Sequence, residues 1–347
     1  MKLNQLGNSD IKVSEICLGT MTFGEQNTQS EGFEQMDYAL DQGVNFFDTA
    51  ELYSVPTKAQ TQGSTETIIG NWFEQSGKRE KVILASKVVG AGIQWIRDGK
   101  PITKQAIDAA LEQSLTRLKT DYIDLYQLHW PNRGSYHFGQ YFNYDASSQG
   151  DTQPILDNMF EVLETLNGYK KEGKIREIGL SNETAWGTMQ FLKIARENGF
   201  PEIVSMQNEY SLLYRRFDAM MGEVAHHENV GLLAYSPLAD GLLTGKYQGG
   251  HVPKGSRADL LPGLWGRINE KSNNAVDAYM AVAKKFGISL PKLSLAYLLT
   301  KPFMTSIIIG ATKMDQLKEN IEATDIEMTQ PMIDAVNQVF KEYPIVY

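Results

Sequence analysis

The sequence predicts an α/β fold: a (β/α)8 barrel with an N-terminal β-hairpin and long loops after several strands. Strand-like apolar runs alternate with helix-like segments along nearly the whole chain, the pattern of a parallel sheet. The runs number eight, the count that closes such a sheet on itself. Neither a composition shift nor a Pro/Gly/Ser-rich linker divides the 347 residues, so 1–347 is expected to be one domain.

Ahead of the first run, a short alternating stretch turns at Gly7-Asn8 and reads as the hairpin. Candidate strands lie near residues 15–18, 44–48, 82–87, 122–128, 175–180, 203–207, 231–235 and 306–310. In the first of these, Cys17 sits between Ile16 and Leu18, as a core thiol would. Helical stripes run through Ala106, Ala109, Ala110, Leu111, Leu115 and Leu118, and through Leu156, Met159, Phe160, Leu163 and Leu166. Thr103 and the segment from Asp151 to Pro154 supply the starts of these helices, and Gly173 and Gly199 suit left-handed positions just past later ones. Three irregular stretches, 88–102, 130–154 and 239–271, all follow strands, and connections of that length are commonly functional. The middle one carries Trp130, Tyr136, His137, Phe138, Tyr141, Phe142 and Tyr144. That is too aromatic for a solvated tether, so a pocket wall is expected; packing onto the barrel rim is the plainer alternative.

Composition narrows the function. A formal charge of −9 and a pI near 5.2 argue against a general nucleic-acid or anionic-membrane surface, which needs a basic face. The first residues lack an apolar signal core and no apolar run is long enough to span a bilayer, so a cytoplasmic protein is expected. With Cys17 alone, one chain can build neither a disulfide nor a cysteine-rich metal site. His137, His226, His227 and His251 lack metal-ligand spacing, and no metal is expected. Residues 240–247 (DGLLTGKY) only superficially resemble a phosphate-binding P-loop, with Asp240 at the first glycine position and Tyr247 at the Ser/Thr position. Gly90-Ala91-Gly92 opens like a dinucleotide fingerprint but meets Trp95 at the third glycine position.

The chemistry sits at strand ends. Asp48 with Tyr53, then Lys87, then His129 close three consecutive strand-like runs. Parallel neighbours lie about 4.8 Å apart, so these ends gather a carboxylate, a phenol, an ammonium and an imidazole around one point. A phenol protonates a carbonyl more readily if its pKa falls toward neutrality, which the Lys87 ammonium is expected to achieve, while Asp48 keeps a buried Lys87 charged. His129 would hydrogen-bond the substrate oxygen. Singly, each residue reads as readily as barrel-interior structure; together they read as a site. The set has no nucleophile and no reductant, so electrons must come from elsewhere.

These residues resemble the aldo-keto reductases. Residues 43–53 (GVNFFDTAELY) are similar to that family's second-strand motif, and Ala85-Ser86-Lys87 and Leu128-His129 to its next two positions. The likeness continues through 18–24 (LGTMTFG), 174–182 (KIREIGLSN), 207–213 (QNEYSLL) and 234–238 (AYSPL), thus over nearly the whole chain. Residues 241–247 (GLLTGKY) and 310–312 (GAT) look most like the bacterial Tas-type reductases and the potassium-channel β-subunit relatives. The resemblance implies a TIM barrel, NADP(H) as cofactor, a small-molecule carbonyl substrate, no nucleic-acid or membrane partner, a monomer, and Tyr53 as proton donor. It implies Thr20 and Met21 near the nicotinamide ribose beside Asp48, Ser181, Asn182 and Gln207 at the carboxamide, and Tyr235 stacked on the ring. It places Ser236, Pro237, Leu238, Lys246 and Arg257 along the pyrophosphate, and Gly310, Thr312, Gln316, Glu319 and Asn320 around the adenosine half. Many family members carry arginine against the 2′-phosphate where Gln316 stands here; Lys313 is a candidate substitute. The channel relatives leave a second reading, a nucleotide-binding regulatory or redox-sensing subunit with little turnover.

Overall fold

A computed structural model describes Met1–Tyr347. The hairpin forms first, with β1 (Leu3–Gln5) antiparallel to β2 (Lys12–Ser14). Eight parallel strands follow: β3 (Ile16–Gly19), β4 (Phe46–Asp48), β5 (Ile83–Val88), β6 (Ile123–Leu128), β7 (Ile175–Ser181), β8 (Ser205–Glu209), β9 (Gly231–Tyr235) and β10 (Met304–Ile309). Each pairs with the next, and β10 pairs with β3 to close a barrel surrounded by helices. This is the expected (β/α)8 TIM barrel.

The pleat of the strands sorts their side chains into two sets. Ile16, Leu18, Phe47, Leu84, Tyr126 and Ile178 face outward into the apolar layer shared with the helices. Cys17, Phe46, Ala85, Leu125, Leu233 and Ile308 face inward, where they form a separate cluster with Leu6, Ile11 and Val13 of the hairpin and with Val204. The hairpin therefore plugs the barrel's N-terminal end. Its turn fits tightly there: a Cβ on Gly7 would lie 2.4 Å from the Val204 carbonyl oxygen, and Gly7 has φ +56. Cys17 is the buried core thiol expected. Two residues further along the same inward faces, Phe46, Ala85 and Leu125 give way to Asp48, Lys87 and Gln127, which with Gln207 of β8 are all buried. Period-two alternation thus turns an apolar floor into a polar layer at the C-terminal mouth.

Several boundaries differ from expectation. Strand β4 begins at Phe46, not 44, because the Asn45 backbone N–H is diverted to the hairpin, donating to Ser14 Oγ, while its Oδ1 accepts from the Ser14 N–H and its Nδ2 donates to the Lys12 carbonyl. Strand β8 runs 205–209 rather than 203–207, since pairing with β7 starts at Ser205 opposite Gly179, beyond the segment the hairpin turn covers. Thr103 caps the helix Lys104–Leu118 by accepting from the Ala106 N–H, and Gly199 closes Ala185–Asn198 in a left-handed conformation. In the helix Thr152–Lys171, Met159, Val162, Leu163 and Leu166 fill the buried stripe. Phe160 is displaced a quarter-turn from that stripe and is exposed, contrary to expectation.

Candidate active site

Lys87 organises the floor of the barrel mouth. Its Nζ donates to Asp48 Oδ2 at 2.7 Å, to the Thr49 carbonyl at 2.7 Å and to the Tyr53 hydroxyl at 3.4 Å. Three acceptors match the three donors of an ammonium. Asp48 is in turn held by Gln207 Nε2 at 2.8 Å and Gln127 Nε2 at 3.3 Å, both on Oδ1. A buried charge pair is tolerated only when its remaining polar atoms are satisfied, and here they are. Gln127 lies two residues before His129 on one strand face; the period-two rule could have singled it out, but it was not among the expected residues.

The electrostatics differ from expectation in one respect. Burial opposes the charge on Lys87, yet Asp48, with Tyr53 adding, outweighs it and holds the ammonium above its ordinary value. Burial dominates at Tyr53: the phenol is pushed up, and the Lys87 ammonium offsets this only in part, while Asp48 adds to the rise. The expected fall of the Tyr53 pKa toward neutrality is therefore corrected; the group stands as a phenol, its proton in place. His129 meets Tyr53 edge-on, with ring centroids 5.6 Å apart. Burial, with Lys87 adding, holds its imidazole well below the usual range. The ring is neutral at physiological pH, and Nδ1 is sealed without a partner.

Above this floor opens a cleft of about 640 Å³, within the size range of small-molecule sites. Asp48, Tyr53 and His129 line it, whereas Lys87 lies buried beneath them. The residues expected along the cofactor border the same cleft: Thr20, Met21, Ser181, Asn182, Gln207, Tyr235, Ser236, Pro237, Leu238, Lys246, Arg257, Gly310, Thr312, Gln316, Glu319 and Asn320. Lys313, the candidate substitute for an arginine, is exposed and does not line it. Tyr235 donates to Asn182 Oδ1 at 2.7 Å, and Asn182 Nδ2 donates to the His129 carbonyl at 2.9 Å. These bonds tie the end of β9 to those of β7 and β6. Asn182 and Ser236 hold φ values of 54 and 49, a left-handed backbone that bends the chain at the mouth.

One end of the cleft is cationic. Burial, and next to it the charge of Lys313, lowers the Lys246 pKa. Arg257 Nη1 and Ser256 Oγ are buried with no hydrogen-bond partner. Crowded cations and idle donors in a cleft fit an anion such as a phosphate. Gln316 Oε1 accepts from both the Thr312 N–H and its hydroxyl, at 3.0 and 3.2 Å.

The aromatic loop is only partly a pocket wall. Trp130 and Phe138 line the cleft, meeting edge-to-face at 6.0 Å. Tyr136 packs on His137 and Tyr144, while Tyr141 lies under Arg216, so these rings follow the plainer alternative of rim packing. His137 is sealed inside, its Nε2 3.2 Å from the Glu183 carbonyl. Arg267, Asp240 and Trp265 also line the cleft. Arg267 ion-pairs with Glu209 and Asp240, and no pattern in the loop sequence marks that role.

Comparisons with known proteins agree with this architecture. The model of the "Aldo/keto reductase family" matches residues 15–341. The chain is 43% identical to "Protein tas" of Escherichia coli (strain K12) over 350 residues, covering 99% of each. It is 34% identical to "Uncharacterized oxidoreductase YrpG" of Bacillus subtilis, over 98% of this chain and 96% of that one. It is 36% identical to an "Aldo-keto reductase" of Babesia bovis, over 75% of this chain and 95% of the other.

Proposed function

This chain belongs to the aldo/keto reductase family, and from that premise we propose that it reduces aldehydes or ketones to alcohols with NADPH, reversibly, with Tyr53 as proton donor. Membership makes it an oxidoreductase of carbonyl compounds. The observation that supports the finer reading is the single ammonium of Lys87 joined to both Asp48 and Tyr53 at the floor of a cleft that His129 also lines.

A nicotinamide cofactor, when bound, supplies the hydride. The chain's own residues do the rest. A carbonyl oxygen seated between Tyr53 and His129 accepts hydrogen bonds from the phenol and from the neutral imidazole. As negative charge builds on that oxygen, Tyr53 gives up its proton. The Lys87 ammonium then faces the tyrosinate, and Asp48 keeps that ammonium charged throughout. Burial, which holds Tyr53 as a phenol, also excludes the water that would screen these interactions.

The cofactor's residues divide along the cleft. Thr20, Met21, Ser181, Asn182, Gln207 and Tyr235 surround the deep end beside the floor. Ser236, Pro237, Leu238, Lys246 and Arg257 offer charge and donors to a pyrophosphate, and Gly310, Thr312, Gln316, Glu319 and Asn320 close the outer end. Lys313, exposed beside the cleft and near enough to Lys246 to depress its pKa, is the cation offered to a 2′-phosphate where Gln316 has no charge, and the preference for NADP(H) over NAD(H) rests on it.

The decisive experiment measures NADPH oxidation with 4-nitrobenzaldehyde alongside NADPH binding. Turnover with saturable kinetics is expected. Tight NADPH binding without consumption would favour instead a regulatory or redox-sensing nucleotide-binding subunit.

A further inference from the structure

Glu51, two residues before Tyr53, is completely buried and grips a loop that the mechanism leaves unused. Its Oε1 accepts from the Val89 N–H at 2.6 Å and from Arg97 Nη2 at 2.6 Å, and its Oε2 accepts from Arg97 Nη1 at 2.8 Å. The Glu51 N–H itself donates to the Lys87 carbonyl at 3.3 Å. One residue therefore fastens together the chain carrying Tyr53, the end of the strand carrying Lys87, and the loop just beyond it.

That loop is bent to make the contact. Arg97, Asp98 and Gly99 adopt left-handed backbone in succession, with φ 48, 57 and 68. Two non-glycine residues hold such a conformation only when their surroundings over-determine it, and a forked guanidinium–carboxylate pair whose carboxylate is fully buried does so. Inside the bend, Leu52, Val89 and Ile96 form an apolar cluster against which Tyr53, Ile93 and Trp130 pack. Trp130 Nε1 donates to the Ala91 carbonyl at 3.0 Å. The loop thus touches both the phenol and the aromatic wall of the cleft.

We infer that the Glu51–Arg97 ion pair is a positioning device for the reduction proposed above, holding the Tyr53 phenol in reach of Lys87 without itself meeting substrate. The inference rests on that reading. At 3.4 Å the bond from Lys87 to the phenol is near the limit of a hydrogen bond, so a small displacement of Tyr53 breaks it, while the cationic end of the cleft is untouched.

Removing one partner would strand a buried charge and endanger folding. The main test is therefore the neutral double variant Glu51→Gln with Arg97→Met, close in shape to the native pair. A second variant, Arg97→Ala, is assayed with and without added guanidinium chloride, because that side chain is 19% exposed and its site is open to the ion. For the double variant, kcat is expected to fall on the order of tenfold to a hundredfold, with NADPH affinity unchanged. Guanidinium is expected to restore part of the Arg97→Ala loss, and a crystal structure of the double variant to show the phenol out of hydrogen-bond reach of Lys87. A folded double variant with native kcat and Tyr53 in place would reduce the pair to a structural brace and overturn the inference. A native protein that turns over no carbonyl would sink the reduction reading instead, and the position of Tyr53 in the crystal would still decide the role of the pair.

Discussion

The ammonium of Lys87 lies 2.7 Å from the carboxylate of Asp48, with the Lys87 side chain wholly shielded from solvent and Asp48 only 4% exposed. Breaking such a pair from one side leaves an unmatched charge in the barrel. Asp48→Ala is expected to cost about 3–5 kcal/mol of unfolding free energy, measured by denaturant titration, and Asp48→Leu combined with Lys87→Met to recover much of it. The Lys87 pKa is raised above its ordinary 10.5. Its contribution is therefore complete below pH 10.5 and lost as pH climbs through the folded value. An Asp48→Ala protein as stable as the native one would contradict the pairing.

Burial, with the nearby Lys313 adding, lowers the pKa of Lys246 at the cationic end of the cleft and so makes its charge costlier to hold there. A bound phosphate would relieve that cost. Lys246→Met is expected to weaken NADPH binding by roughly tenfold to a hundredfold, the range of one charged hydrogen bond, and to reduce the salt dependence of binding. Fluorescence titration at two ionic strengths checks this; unchanged affinity would place the phosphates elsewhere.

His137 links acidity to stability. Burial lowers its pKa from 6.5 to about 4, with Arg216 adding to the fall and the hydrogen bond to the Glu183 carbonyl opposing it. The unfolded chain binds this proton first, so the contribution is whole above pH 6.5 and drains away as pH falls toward 4. Linkage makes it about 3 kcal/mol. His137→Gln should flatten the stability profile across that window relative to the native protein, as read by denaturant titrations at each pH. Parallel profiles would refute it.

Gly90 lies directly against the aromatic wall. A Cβ there would sit 2.3 Å from Trp130 Nε1, and the indole is pinned by its bond to the Ala91 carbonyl. Gly90→Ala is expected to cost about 1–3 kcal/mol by overpacking and to shift Trp130 within the cleft. The KM for the carbonyl substrate should rise several-fold while NADPH affinity stays constant. An unaltered KM would remove Trp130 from the substrate wall.

Strand-end chemistry was legible because it depends on period two alone. Asp48, Lys87 and His129 each stand on an inward face, and parallel pairing brings such faces together whatever the loops do. Phe160 misled because a helical stripe read from apolarity does not say which flank of it the barrel covers. The aromatic loop misled similarly: Phe138 and Tyr141 look alike in sequence, yet one lines the cleft and the other lies under Arg216, a partner far away in the chain. Arg267 with Glu209 and Asp240 left no local trace for the same reason. The acidity of Tyr53 also turns on a balance of burial against charge that only three dimensions supply.

The central claim is that Tyr53 delivers the proton, and Tyr53→Phe tests it most directly because it deletes the hydroxyl and little else. Carbonyl turnover and NADPH binding should be measured on the same preparation. The expected result is a kcat lower by about 10²–10⁴-fold, the usual worth of a positioned acid, with native NADPH affinity. Equal turnover by the two proteins would contradict it.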